Sequence, residues 1–164
     1  MSIVLYRVDE RLIHGQVVVG WGSTLHPDRI IVVDDDLAAS AWEQELYAIG
    51  LPDELTTSFE SVAEARAHLQ EWRKGAARVV VLTRDVATMR QLASAGTMQG
   101  EEVNIGGIHY GPGRTAILPY VYLSEAEMAE MDALESAGVR ISARDLPGAR
   151  RIELKEMLKG RLRA

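Results

Sequence analysis

Ile3-Val4-Leu5-Tyr6-Arg7-Val8-Asp9-Glu10-Arg11-Leu12-Ile13-His14-Gly15-Gln16-Val17-Val18-Val19-Gly20-Trp21 divides into three pieces. Ile3–Val8 is nearly continuous in apolar character, as expected of a strand buried on both faces. Asp9 to Gly15 is a short charged loop. Gln16 to about Thr24 reads as a short helix, weakened by Gly20 and Gly22. His14 therefore falls where loop becomes helix. The first N–H groups of a helix lack an internal partner and attract anions. Arg7 and Arg11 add guanidinium donors suited to phosphate. A neutral imidazole beside such a cradle is equipped to attack phosphorus and hold the group covalently.

The rest of the chain repeats the alternation of strand and helix. Arg29–Val33 is a β-branched strand ending in Asp34-Asp35-Asp36, and Ala38 to Ile49 is helical, stopped by Gly50 and Pro52. Leu55–Phe59 is a short strand. Ser61 to about Trp72 is a helix with Ser61 and Glu64 at capping-box spacing. Arg78–Leu82 is a buried strand, Val86–Ala95 a helix, and Glu102–Ile105 a strand running into Gly106-Gly107. Thr115 to Leu123 is extended, with Pro119 suiting an edge. Ser124 to Ala137 is a helix with a second capping box to Glu127. Val139–Ala143 is a strand, and Ile152 to about Leu162 is a terminal helix. This order predicts one α/β domain over 1–164, a sandwich with a mainly parallel central sheet flanked by helices on both faces. Ligands of such sheets bind at the carboxyl ends of strands. Those ends carry Asp9 to His14, Asp34 to Asp36, Thr83-Arg84-Asp85 and Gly106-Gly107.

The string Arg7-Val8-Asp9-Glu10-Arg11-Leu12-Ile13-His14-Gly15-Gln16-Val17 resembles the phosphorylation-site segment of IIB subunits of the mannose/fructose/sorbose family of the bacterial sugar phosphotransferase system (PTS). Asn104-Ile105-Gly106-Gly107-Ile108, followed by Arg114-Thr115, resembles a second recurrent segment of that family. The likeness runs from Ile3 to about Met157. Glu10 departs from the Asp expected there but keeps the charge, and Thr83-Arg84-Asp85 stands where many relatives have Thr-Asn-Pro. The resemblance implies a phosphocarrier. His14 would accept a phosphoryl group from a phosphohistidine IIA protein or domain, by analogy on Nδ1, and pass it to a sugar held by a membrane IIC/IID pair. Arg11 and Arg7 would supply charge, and Asp9 would hold an arginine or the loop. Arg7, Gly15, Gln16, Asp34, Thr83, Gly106 and Gly107 would support the loop or the phosphate. The sequence also places Asp34 to orient an imidazole or an arginine. That chemistry calls for no metal and no cofactor.

Composition narrows the class. A 47% apolar and 26% charged chain of 164 residues has the make-up and length to bury a sizeable core. The absence of cysteine excludes disulfides and thiolate metal sites. No stretch approaches the ~20 apolar residues of a membrane span, and no basic-then-apolar leader opens the chain. A cytoplasmic protein, peripheral to a membrane permease, is the expectation. The net charge of −6 disfavours nucleic acid; a homodimer is an assembly the sequence leaves open. Gly111-Pro112-Gly113-Arg114-Thr115-Ala116 matches a dinucleotide fingerprint in letters only, since Pro119 denies it the helix it must open. No G-x-x-x-x-G-K-[ST] loop is present, which points away from ATP as donor. His26 lies in a turn, His68 lies mid-helix, and His109 follows the double glycine within reach of the site. No two histidines have metal-ligand spacing.

Met128, Met131 and Leu134 fall at helical spacing as core, and Trp21, Trp42 and Trp72 read as packing residues. Two rival functions use the same rim: a regulatory phospho-acceptor modified at His14, and a small-ligand binding module with no chemistry. A carrier that meets two proteins in turn needs a shallow, exposed site, so Leu12, Ile13 and Ile108 are expected partly exposed.

Overall fold

Runs of Val and Ile too apolar for one-sided burial build the centre of the molecule. The computed structural model describes residues 2–159. In chain order the strands are β1 (Ile3–Val8), β2 (Arg29–Val33), β3 (Thr56–Glu60), β4 (Val79–Thr83), β5 (Glu102–Ile105), β6 (Thr115–Leu118), β7 (Val121–Leu123), β8 (Arg140–Ala143) and β9 (Ile152–Glu153). A π-helical segment, Gln16–Trp21, continues into α1 (Gly22–Leu25). The other helices are α2 (Asp35–Ala38), α3 (Ala41–Ala48), α4 (Val62–Lys74), α5 (Val86–Leu92), α6 (Glu125–Ser136) and α7 (Leu154–Lys159). The main sheet has the order β3-β2-β4-β1-β5-β8-β9. Every pairing in it is parallel except that of β9 with β8.

Alternate residues of the central strands enter separate cores. Ile31, Val33, Val79 and Val81 pack with Leu69, Met89, Met131 and Met157 from α4, α5, α6 and α7. Ile30, Val32, Val80 and Leu82 pack on the other side with Leu12, Val17 and Leu37. The helices therefore lie on both faces, as the unbroken apolar runs require. A bulge between Ile3 and Leu5 shifts β1 against β4. It sends Val4 and Leu5 to one face and Tyr6 to the other. Both capping boxes, Ser61 with Glu64 and Ser124 with Glu127, are formed.

The differences from expectation have local causes. The helix expected over 38–49 begins three residues later, at Ala41, because Ala38 closes a separate turn, α2. Asp34 caps the single turn of α2 by accepting from the Leu37 N–H, and extended Ser40 restarts the chain as α3. The extended run 115–123 folds back at Pro119-Tyr120 as the antiparallel β6–β7 hairpin, a turn position that proline's fixed φ favours. The terminal segment opens as β9 before α7 begins at Leu154, because a strand edge on β8 remains to be paired; residues 160–162 of the expected helix lie outside the described residues. Leu12 and Ile108 are buried at 0% and 1% exposure, contrary to expectation, because each plugs an end of one core. Ile13 is half-buried. Trp42, expected in packing, is 66% exposed. Among the described residues no helix is long and apolar enough to cross a membrane.

Candidate functional site

The loop after β1 stands where the chain's connections part. The helical segment following β1 packs on one face of the sheet and α5, following neighbouring β4, on the other. That divergence opens a crevice at the carboxyl rim of a parallel sheet. The loop is stitched to both neighbouring strands. The Asp9 N–H donates to the Thr83 carbonyl at 3.0 Å, Gly106 N–H to Val8 at 2.8 Å, and Glu10 N–H to Gly107 at 2.9 Å. Leu12 takes the left-handed conformation, φ 56°, which costs a non-glycine residue on the order of 1 kcal/mol. Burial of its side chain offsets that cost. The resulting tight turn, with Leu12 N–H bonded to the Asp9 carbonyl at 3.0 Å, brings the following residues back over Asp9.

Asp9 is the hub. It has no exposed surface, and its Oδ2 lies 3.0 Å from Arg7 Nη2 and 3.2 Å from His14 Nε2. Its Oδ1 accepts from the Arg11 backbone N–H at 3.0 Å. Burial alone raises a carboxyl pKa. Here the bonds from His14 and Arg11 and the Arg7 charge outweigh burial and hold Asp9 down at about 2. Asp9 is therefore a carboxylate at neutral pH and an acceptor only. His14 Nε2 must carry the proton, which leaves the Nδ1 lone pair unused by this contact. The imidazole is 14% exposed, so it is held but reachable.

Arg7 serves the loop from below. Its guanidinium is wholly buried and donates to Asp9, to the side chain of Asn104, and to the carbonyls of Arg144 at 2.9 Å and Asp145 at 3.1 Å. It also lies 5.3 Å from the ring centre of Trp21, whose indole N–H donates to the Asp145 carbonyl. Burial lowers the Arg7 pKa, with Asp9 opposing that shift. With these donors committed, Arg7 supports the loop instead of presenting itself at the surface. Gly106 is glycine for this reason: a Cβ there would collide with the Arg7 guanidinium. Arg11 is the outward cation. Its side chain is 43% exposed, and its Nη2 donates to Gln16 Oε1 at 2.7 Å.

Around this centre the other expected residues fall into two groups. Gly107 lies beside Asp9, His109 and Arg11; a Cβ on it would stand 3.4 Å from His109 Nε2 and 3.7 Å from Arg11 Nη2. Gly15 opens the helix and is exposed, with nothing within 4 Å of a would-be Cβ. Thr83 is buried and contributes its carbonyl to Asp9, while its hydroxyl donates to Asp85. Asp34 faces an arginine: its Oδ2 lies 3.3 Å from Arg84 Nε, while Oδ1 caps α2. His109 is half exposed, its N–H donates to the Glu10 carboxylate, and its Nδ1 lies 3.3 Å from Glu10 Oε1. Glu10 also accepts from Arg114 at 3.0 Å, and Arg114 forks onto Glu127 of α6. His26 is an exposed helix end and His68 pairs with Glu60, both away from these contacts.

Sequence reasoning missed the Glu10–Arg114–Glu127 bridge and the carbonyls of Arg144 and Asp145. Asn104 stood in a quoted motif and signalled itself. A carbonyl carries no residue signature, so nothing marked 144–145. Among the described residues no cluster of His, Cys, Asp and Glu is arranged to hold a metal ion.

The site thus presents a carboxylate-oriented imidazole at the rim of a parallel α/β sheet. Comparison with known proteins gives the family. Residues 3–163 match the model of the PTS system sorbose subfamily IIB component. The fructose-specific EIIB component of the PTS of Bacillus subtilis (strain 168) is 31% identical over 147 residues, covering 90% of each chain. The mannose-specific EIIAB component of Escherichia coli (strain K12) is 27% identical over 158 residues, covering 96% of this chain and 49% of that one. A solved structure described as a phosphoenolpyruvate-dependent phosphotransferase system superposes with a TM-score of 0.85 at 29% identity, covering 98% and 99% of the two chains. The chain belongs to the sorbose-subfamily IIB components of the PTS. It is thus a phosphotransferase component of sugar uptake, and the sequence resemblance is borne out.

Proposed function

We propose that His14 is the phosphoryl carrier of this IIB component, that a phosphohistidine IIA protein loads it, and that a sugar bound by a membrane IIC/IID permease unloads it. The observation that carries this reading is the 3.2 Å contact between His14 Nε2 and buried Asp9, which fixes the tautomer and frees Nδ1. In the loading step the Nδ1 lone pair attacks phosphorus in line. The P–Nδ1 bond forms as the donor imidazole's P–N bond breaks, and the donor nitrogen keeps that electron pair. The Nε2 proton stays on His14, against Asp9. In unloading, a sugar hydroxyl oxygen bonds to phosphorus and gives up its proton to water, the P–Nδ1 bond breaks, and Nδ1 regains its lone pair.

Phosphoryl transfer needs positioning and charge stabilisation more than covalent help. Arg11 is the exposed guanidinium beside the imidazole, and the free N–H groups at the helix start add directional donors. Exchange between two phosphohistidines makes and breaks the same kind of bond, so loading is reversible. The joined A and B components in the name of the mannose-specific relative support IIA as the donor.

The test is mass analysis after incubation with phosphoenolpyruvate, the general PTS proteins and a IIA donor. One acid-labile phosphoryl group is expected on the wild type and none on His14→Gln. Undiminished acid-labile phosphate on His14→Gln would falsify the assignment of the carrier residue. No phosphate on the wild type would leave a binding module instead.

A further inference from the structure

One face beside His14 is built unlike the rest of the surface. Helix α3 has no fully buried residue, yet it carries Trp42 at 66% exposure and Leu46 at 58%, and Ile49 just beyond it is 74% exposed. Val19, from the helical segment that begins after His14, is 68% exposed. A groove of about 310 Å³ joins Val19, Leu46 and Ile49 to the site, with Ile13, His14 and Tyr47 also lining it, and Trp42 lines an adjoining pocket that shares Leu46 and Tyr47. Large apolar side chains grouped at a surface mark a contact site more often than chance, and tryptophan is the residue most often central to one.

The charge around this patch is one-sided. From residue 30 to residue 65 the chain has nine Asp and Glu and no Lys, Arg or His. Glu43 lies with Trp42 and Leu46 and Glu54 with Val19; Glu45 precedes Leu46 on α3, Asp53 precedes Glu54, and Glu45, Asp53 and Glu54 are exposed. Arg84 reaches the Trp42 side from β4's end, but it is paired with Asp34 at 3.3 Å.

We infer that this face docks the cytoplasmic loops of the integral membrane permease. The inference rests on the proposed carrier function. Cytoplasmic loops of membrane proteins carry an excess of Lys and Arg, which complements a carboxylate rim around an apolar centre. The inner leaflet itself is anionic and repels such a rim, so the occupant is the permease protein and not the lipid. The groove's continuity with His14 puts the docked loops, and the sugar the permease holds, beside the phosphoryl group on His14. A transient contact of this kind is salt-sensitive.

The test separates the two half-reactions. Trp42→Ser with Ile49→Ser, and Glu45→Lys with Asp53→Lys, change exposed residues outside the transfer machinery and leave the melting temperature near the wild-type value. Loading of His14 from IIA should stay within about twofold of wild type. Transfer to sugar would be measured with inverted vesicles holding a IIC/IID pair that supports wild-type turnover, and it should fall at least about tenfold. Co-sedimentation with those vesicles should weaken in parallel, and its salt dependence should flatten in the charge-reversed variant. Unchanged sugar transfer overturns the inference. An equal fall in loading and transfer overturns it too, by assigning the face to IIA, and equal sedimentation with permease-free anionic vesicles assigns it to lipid. Failure of wild-type His14 to load at all defeats the carrier function itself, an outcome none of these variants produces.

Discussion

Arg11 and Arg7 sit four positions apart and do different work. Arg7 is sealed beneath the loop with both terminal NH2 groups committed, while Arg11 is half exposed and keeps part of its fork turned outward. Arg11→Lys should therefore spare the fold and slow loading of His14. A lysine offers a point charge where the planar fork makes directional bonds. One charge-assisted hydrogen bond is worth ~1.5–3 kcal/mol, roughly tenfold to a hundredfold in rate. Rapid-quench transfer from phosphorylated IIA at the wild-type rate would sink this assignment. The sequence made His14, Asp9 and Arg11 visible because their types and spacing carry chemistry. It showed Arg7 equally well as a residue but not how it is held: an arginine in an apolar strand gives no sign of which acceptors wait for it. Those acceptors include two carbonyls 137 and 138 positions away, and backbone oxygens are the same in every residue.

At the scale of elements, the β5 end is fitted to the β1 end through Gly106. A methyl group there meets a guanidinium that cannot withdraw, since its neighbours hold it on several sides. Gly106→Ala should destabilise the protein by about 1–3 kcal/mol, the usual cost of overpacking. It should also reduce loading, because Arg7 supports Asp9. Urea unfolding checks the first effect; a midpoint equal to wild type would remove the steric argument. The double glycine was legible as a place of close approach, although the sequence did not say what approaches. The parallel sheet and both capping boxes were legible from apolar runs and from Ser-x-x-Glu spacing. The break at Ser40 was not, because helical periodicity continues through it while the Asp34 cap has already used the first turn. Trp42 was misread for a related reason. Burial of an aromatic residue is the usual expectation, and only the position of α3 at the margin shows that nothing covers it.

Across the whole molecule, the site is also a stability element with a defined pH window. The Asp9 carboxyl stands at about 2 in the folded protein against an ordinary 3.8. A depressed carboxyl pKa stabilises the fold above the ordinary value, and that contribution is lost as pH falls through the folded value. The contribution is on the order of 2 kcal/mol, lost between pH about 4 and about 2. Unfolding free energy measured over that range should fall more steeply for wild type than for Asp9→Asn. Equal slopes would deny Asp9 this role. The bonds from Arg7 to the carbonyls of Arg144 and Asp145 also set an order of events in the life of each molecule. A chain leaves the ribosome from its N-terminus, so Arg7 and the histidine loop emerge before residues 144 and 145 and must wait while the intervening sheet is made. The buried arginine finds its full set of acceptors only after the segment following β8 has been synthesised and has folded into place. Until then the histidine loop is present without the clamp that organises it, so the order of the site depends on folding that reaches past β8.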